Sequence, residues 1–329
     1  MDRAFTEKIF KIQDEKTFRA TALEVFRFQA MHTPVYKDYL AAHRVNPDSI
    51  TEIEKIPFLP VEFFKSHTVM EEGKKADVVF KSSGTTGATQ SSHHVADAGI
   101  YRESFLRSFN SFYGSPEELC ILALLPAYLE REGSSLVYMM DHLIRWSKHP
   151  DSGFYLDNLD ELSAILGKRN EDKHVTLLVG VSFALLDLAE KHPVKLENHI
   201  LLMETGGMKG RRKEMVRSEL HEQLTTAFGL ETVHSEYGMT ELLSQAYSSG
   251  HGLFTTPPWM KVLIRDPNDP LSLLSPGQSG GINIIDLANI HSCSFIATAD
   301  LGKLHNGGSF EVLGRFDHSD IRGCNLLVS

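Results

Sequence analysis

Val78 to His94 reads Val-Val-Phe-Lys-Ser-Ser-Gly-Thr-Thr-Gly-Ala-Thr-Gln-Ser-Ser-His-His. Ala76 to Phe80 is a short run rich in apolar and β-branched residues, which predicts a strand. Ser82, Ser83, Gly84, Thr85, Thr86 and Gly87 follow it. A hydrophobic core has no use for such a run. Its hydroxyls and bare amides need partners, and its glycines permit positive φ and close approach of a ligand to the backbone. Successive N–H groups in such a loop form a concave nest for anionic oxygens, and phosphate is the natural guest. The spacing excludes the commoner phosphate loops. Only Thr85 and Thr86 separate Gly84 from Gly87, where a Walker loop needs four residues and then Lys-Ser/Thr, and G-x-G-x-x-G also fails. A polar surface turn is the competing reading.

Outward from this stretch the chain reads as strand alternating with helix. Residues 3 to 30 carry helical spacing through Phe5, Ile9, Phe18, Ala22, Val25 and Phe26, and Pro34 is expected to end the run. The stretch Val35 to Phe64, with Pro47, Pro57 and Pro60, reads as irregular. Asp97 is a helix cap before Ile100, Tyr101, Phe105 and Phe109, and Gly114 ends that helix. Leu119 to Leu125, Val175 to Val181 and Ile200 to Met203 are continuous apolar runs, as buried parallel strands require. Thr232 to His234 reads as a further short strand. Ser134 to Trp146, Leu159 to Arg169, Phe183 to Lys191 and Lys209 to Phe228 read as the intervening helices. This alternation predicts a parallel α/β sheet covered on both faces. After Glu241 the texture changes. Met260–Ile264, Gly281–Ile285, Phe295–Ala299 and Phe310–Leu313 are strands broken by Gly, Pro, Asp and Asn, an antiparallel or barrel-like subregion. We therefore expect one domain over 1–329, α/β in 1–240 and mainly β in 241–329.

Composition narrows the function. The chain has 329 residues, enough for one large domain, and a net charge of −10, which disfavours non-specific nucleic-acid binding. No apolar run reaches the length of a membrane span, and Met1 to Phe10 lacks a signal-peptide core. Cys120, Cys293 and Cys324 lie far apart without a CxxC, which suggests reduced thiols and a cytoplasmic protein. The sixteen histidines are scattered and no HExxH occurs.

Ser82 to Gly87 resembles the Ser/Thr/Gly phosphate loop of the adenylate-forming enzymes, the acyl-CoA synthetases, luciferases and nonribosomal adenylation domains. Three further motifs extend the resemblance in order along the chain. Tyr237-Gly238-Met239-Thr240-Glu241 follows a strand, where a hydroxyl and a carboxylate can reach one ligand and the carboxylate suits Mg²⁺. The resemblance implies that Thr240 lies near the α-phosphate of ATP and Glu241 on Mg²⁺. Thr298-Ala299-Asp300 is similar to the family's Thr-Gly-Asp motif, with Ala299 in place of Gly, which gives Asp300 the ribose hydroxyls. Gly314-Arg315-Phe316-Asp317 resembles the hinge motif, with Arg315 approaching the nucleotide. Gly206 and Gly207 fall where the family packs adenine. Within the superfamily, Phe18 to Tyr39, His94, Asp97, Tyr101, Ser104 and Phe105 resemble the LuxE-type acyl-protein synthetases.

The chain departs from the superfamily pattern in two places. Ala88, Thr89 and Gln90 follow Gly87 where a lysine is usual, which points to Lys81, Lys209 or Arg211 for the pyrophosphate charge. The chain as given also ends soon after the hinge motif, so the smaller carboxy-terminal domain is expected to be absent. LuxE-type enzymes end in Arg-Gly-Cys, and Arg322-Gly323-Cys324 stands here. The resemblance implies that Cys324 carries the acyl group; a thiol near an arginine has a lowered pKa, and thiolate is the reactive form. The expected function is activation of a carboxylic acid, a fatty acid first, as acyl-AMP with ATP and Mg²⁺, then transfer to a thiol. An acceptor protein, either a reductase or an acyl carrier protein, is the expected partner. The alternatives are an acyl- or aryl-CoA ligase, a non-catalytic acyl-binding protein and a serine enzyme. The serine reading rests on Gly180-Val181-Ser182-Phe183-Ala184 between strand and helix, near the G-x-S-x-G elbow, followed by Asp286 with His291 or Asp300 with His305.

Overall fold

The computed structural model describes residues 3–82, 90–125, 133–156, 158–206, 212 and 215–316. Ser83, Gly84, Thr85, Thr86, Gly87, Gly207, Lys209, Arg211, Asp317 and Cys324 lie outside the described residues.

The continuous apolar runs form the centre. Among the described residues a six-stranded sheet runs in the order Gly153–Tyr155, Cys120–Leu124, Thr176–Val181, Ile200–Thr205, His234–Tyr237 and Ala246–Ser248. All pairings are parallel except the last. Every residue of Cys120–Leu124 and Thr176–Val181 is buried, because helices Ser135–Ser147, Leu159–Asp172, Ser182–Lys191 and Arg217–Phe228 cross over between the strands. Parallel strands joined this way place their carboxyl ends on one edge, the edge where open α/β sheets bind ligands.

The region after Glu241 builds a second, five-stranded sheet among the described residues. Met260–Arg265, Ser279–Asp286 and Phe295–Leu304 pair antiparallel, and Phe310–Arg315 pairs with the end of Phe295–Leu304. Leu59–Pro60 adds a parallel edge. A separate hairpin pairs Val78–Lys81 with Ser92–Val95. The Ser/Thr/Gly stretch is thus the connection of a hairpin. Its neck is closed by Ser82 N–H donating to Ser91 O at 3.0 Å and Ser91 N–H to the Ser82 hydroxyl at 2.9 Å.

Some boundaries differ from expectation. Pro34 does not leave irregular chain behind it: it opens the helix Pro34–Ala42, at the first turn where its missing N–H costs nothing. The helix expected from Lys209 begins at Arg217, after extended Val216. The strand expected at Thr232–His234 runs instead from His234 to Tyr237. The cap reading holds at helix Ala98–Tyr113, where the Asp97 carboxylate accepts from Gly99 N–H and Gly114 closes the end at φ +79°.

Candidate active site

The carboxyl end of His234–Tyr237 meets the antiparallel sheet, and three of the sequence-predicted residues, Tyr237, Asp300 and Arg315, come together there. Asp300 and Arg315 are register partners on neighbouring strands. Tyr237 comes from the other sheet, and its hydroxyl donates to Asp300 Oδ2 at 2.8 Å. Arg315 Nε approaches Asp300 Oδ1 at 3.3 Å. Asp300 is 7% exposed while the Arg315 side chain is 79% exposed, so this pair stands at the rim and contributes little to stability. Inside the motif, Asp300 N–H donates to the Thr298 hydroxyl at 3.1 Å, and that hydroxyl donates to Ile282 O at 3.0 Å. Ala299, in place of the family's Gly, accepts from Phe316 N–H at 2.8 Å, so the departure does not interrupt the backbone pairing.

Glu241 belongs to the same place. It is buried, and burial pushes its carboxyl up; a hydrogen bond from the Ser91 side chain and the Arg315 charge oppose the rise, and Asp300 adds to it. Among the described residues no group of three or more His, Cys, Asp or Glu side chains could hold a metal ion, so a hard cation here would need substrate phosphates and water beside Glu241. Thr240 is half-buried beside it in the same turn. Ser82 stands at the neck of the hairpin loop. Gly206 follows strand Ile200–Thr205 at φ +71°, and its carbonyl accepts the Ser182 hydroxyl at 2.8 Å.

That last bond bears on the serine reading. The Ser182 hydroxyl serves a backbone carbonyl. Asp286 accepts from Leu243 N–H, Ser244 N–H, Ala288 N–H and the Ser244 hydroxyl, His291 pairs with Glu71, and His305 pairs with Glu311. Among the described residues these groups form no Ser-His-Asp chain.

Three residues of the site region escaped the sequence reading. Glu236, buried beside Tyr237, accepts the Thr205 hydroxyl at 2.5 Å. Burial, against the help of that bond and with the Glu204 charge nearby, pushes its carboxyl up to about 7. His93 and Asn289, both fully buried, reach the turn at Thr240 and Glu241. Glu236 carried one signal, its place directly before Tyr237; His93 and Asn289 had none, because their contacts span 147 and 48 residues.

Residues 7–111 match the family described as acyl-protein synthetase, LuxE. The matched segment holds Phe18–Tyr39, the Ser82–Gly87 stretch and the Asp97 helix. A curated relative, the long-chain-fatty-acid–luciferin-component ligase of Photorhabdus luminescens, is 36% identical over 76 residues, covering 23% of this chain and 65% of that protein. Among solved structures, an open 2-hydroxyisobutyryl-CoA ligase in complex with 2-HIB-AMP and CoA aligns at TM-score 0.66 and 15% identity, covering 92% of this chain and 70% of that one. ATP-bound MatB from Rhodopseudomonas palustris aligns at TM-score 0.56 and 17% identity, covering 72% of this chain and 47% of its own. The matches thus span under two thirds of the luciferin-component ligase and about half of MatB. The solved structures show that this chain shares their fold. Among the described residues no helix is long and apolar enough to cross a membrane.

Proposed function

We propose that this chain activates a carboxylic acid, a fatty acid first, with ATP, and passes the acyl group to the thiol of Cys324. The observation that carries the reading is the meeting of Tyr237, Asp300, Arg315 and Glu241 where the two sheets touch, beside the hairpin that carries the Ser/Thr/Gly loop. The LuxE match and the named fatty-acid ligase relative support an acid substrate, and the ATP-bound and adenylate-bound relatives in fold support the nucleotide.

In this reading Ser82, Ser83, Gly84, Thr85, Thr86 and Gly87 hold the phosphates, Gly206 and Gly207 face adenine, and Asp300, braced by Tyr237, accepts the ribose hydroxyls. Arg315 approaches the nucleotide, Thr240 the α-phosphate, and Glu241 holds Mg²⁺. The metal supplies positive charge against the phosphates. The chain's own work is positioning and charge stabilisation. A carboxylate oxygen attacks the α-phosphorus, the bond to pyrophosphate breaks, and acyl-AMP forms. The Cys324 thiolate then attacks the acyl carbon and AMP leaves with the electron pair of the C–O bond. Burial pushes the other thiols up, Cys120 to about 11 and Cys293 to about 12, so both stay protonated and inert at neutral pH. The thioester passes to a partner thiol on a reductase or acyl carrier protein.

Intact-mass spectrometry after incubation with ATP, Mg²⁺ and a panel of acids tests the reading. The expected result is a hydroxylamine-labile acyl adduct, lost in Cys324→Ser while ATP–pyrophosphate exchange persists. Acyl-CoA formation without an adduct supports the CoA-ligase alternative. No ATP turnover with any acid supports a non-catalytic acyl-binding protein.

A further inference from the structure

The Thr240–Glu241 turn is held from behind by two side chains from distant parts of the chain. His93 lies on the hairpin strand Ser92–Val95, fully buried edge-on to Phe64. Its Nδ1 meets the Thr240 carbonyl at 2.9 Å. A carbonyl only accepts, so Nδ1 carries the proton. Asn289 lies in the short helical turn Leu287–Asn289 after strand Ser279–Asp286, and it too is fully buried. Its Nδ2 donates to the Glu241 carbonyl at 2.7 Å. Two consecutive carbonyls are therefore each gripped by a buried donor, one from the phosphate-loop hairpin and one from the antiparallel sheet.

The two side chains also stand against each other, side chain to side chain. The remaining donor of each, His93 Nδ1 and Asn289 Nδ2, faces Thr240 and Glu241.

We propose that His93 and Asn289 are positioning residues that clamp the Thr240–Glu241 peptide, setting the Glu241 carboxylate for the divalent cation and the Thr240 hydroxyl for the nucleotide. This rests on the function proposed above. The clamp also couples the parts of the site: the hairpin whose loop would receive phosphate grips the turn whose carboxylate would receive the metal. Groups that orient a metal ligand from behind typically change metal affinity or activity about 10–100-fold when removed.

The test uses the full chain with Mn²⁺ as a paramagnetic probe in place of Mg²⁺. Mn²⁺·ATP affinity is read by electron paramagnetic resonance, beside ATP–pyrophosphate exchange and thermal unfolding. His93→Phe keeps the ring volume without the donor, and His93→Asn places an N–H near the position of Nδ1. Asn289→Leu removes the second donor. We expect His93→Phe and Asn289→Leu each to weaken Mn²⁺·ATP binding about 10-fold or more, and His93→Asn to recover to within about threefold of wild type. A merely structural role would lower the unfolding temperature of His93→Asn and His93→Phe alike and leave cation affinity unmoved in the folded fraction. Wild-type affinity in folded His93→Phe, or equal loss in His93→Asn and His93→Phe, overturns the clamp while the function stands. A wild-type protein that neither binds Mn²⁺·ATP nor exchanges pyrophosphate overturns the function and the clamp with it.

Discussion

Two pairs of acids lie buried in this molecule, and they are settled in opposite ways. Glu204 and Glu236 sit on neighbouring strands of the parallel sheet, and the protein answers both. Burial raises the Glu204 carboxyl, but His221, Arg217 at 2.9 Å and Ser235 outweigh it and hold it below the usual range. Glu236 has the Thr205 hydroxyl and, near neutrality, a proton. Glu241 and Asp300, where the two sheets meet, have no such closure. Asp300 has a tyrosine hydroxyl and an exposed arginine, and Glu241 has no cation within salt-bridge distance among the described residues. The first pair is answered from within the chain; in the function proposed above the second pair would meet the nucleotide and its metal.

The comparison can be broken most directly at Asp300. Asp300→Ala is expected to weaken ATP binding and lower ATP–pyrophosphate exchange by about 10²-fold, the scale of losing charged hydrogen bonds to two hydroxyls, with the unfolding temperature little changed. A silent Asp300→Ala would place this pair with the first. Glu241→Gln is expected to lower exchange about 10-fold at limiting Mg²⁺ and to recover in part as Mg²⁺ is raised; a loss independent of Mg²⁺ would count against a metal ligand.

The first pair is sharpened by stability against pH. The folded Glu236 carboxyl lies above its unfolded value of 4.5, at about 7. The folded state thus binds this proton more tightly, so the contribution is fully present below 4.5 and lost as pH rises to 7, on the order of 3 kcal/mol. Denaturant unfolding of Glu236→Gln should show a smaller decline than wild type across that window, and an identical slope would remove Glu236 as its source. The smallest effect is expected at Ser182→Ala: about 1 kcal/mol for the bond to Gly206 and no loss of acyl transfer. Abolished activity there would restore the serine reading.

What the sequence disclosed and what it hid follow a physical line. Local chemistry was legible: Asp97 and Gly114 bound their helix, and the unbroken apolar runs became the parallel strands because both faces are covered. Tyr237, Asp300 and Arg315 were found through motifs, and the structure brings them together. Pro34 ends the helix Glu15–His32 as expected, but the stretch after it is not irregular, because the same proline opens the helix Pro34–Ala42. Strand His234–Tyr237 extended past its expected end because Ser235 and Glu236, polar by type, are buried by long-range partners. His93 and Asn289 were invisible for the same reason.

Gln29, in helix Glu15–His32, uses both ends of its amide far away in the chain. Its Nε2 donates to Asn289 O and Ile290 O at 2.9 Å and to the Ser294 hydroxyl at 3.2 Å, and its Oε1 accepts from Ser294 N–H at 2.9 Å. These partners lie 260 to 265 positions later. On a ribosome adding about 5–20 residues per second, the helix emerges roughly 13–50 s before its counterpart exists. The segment that matches a family on its own is therefore not a module that can finish on its own. Its first long helix cannot complete the contacts of this amide until residues 289 to 294 have been made.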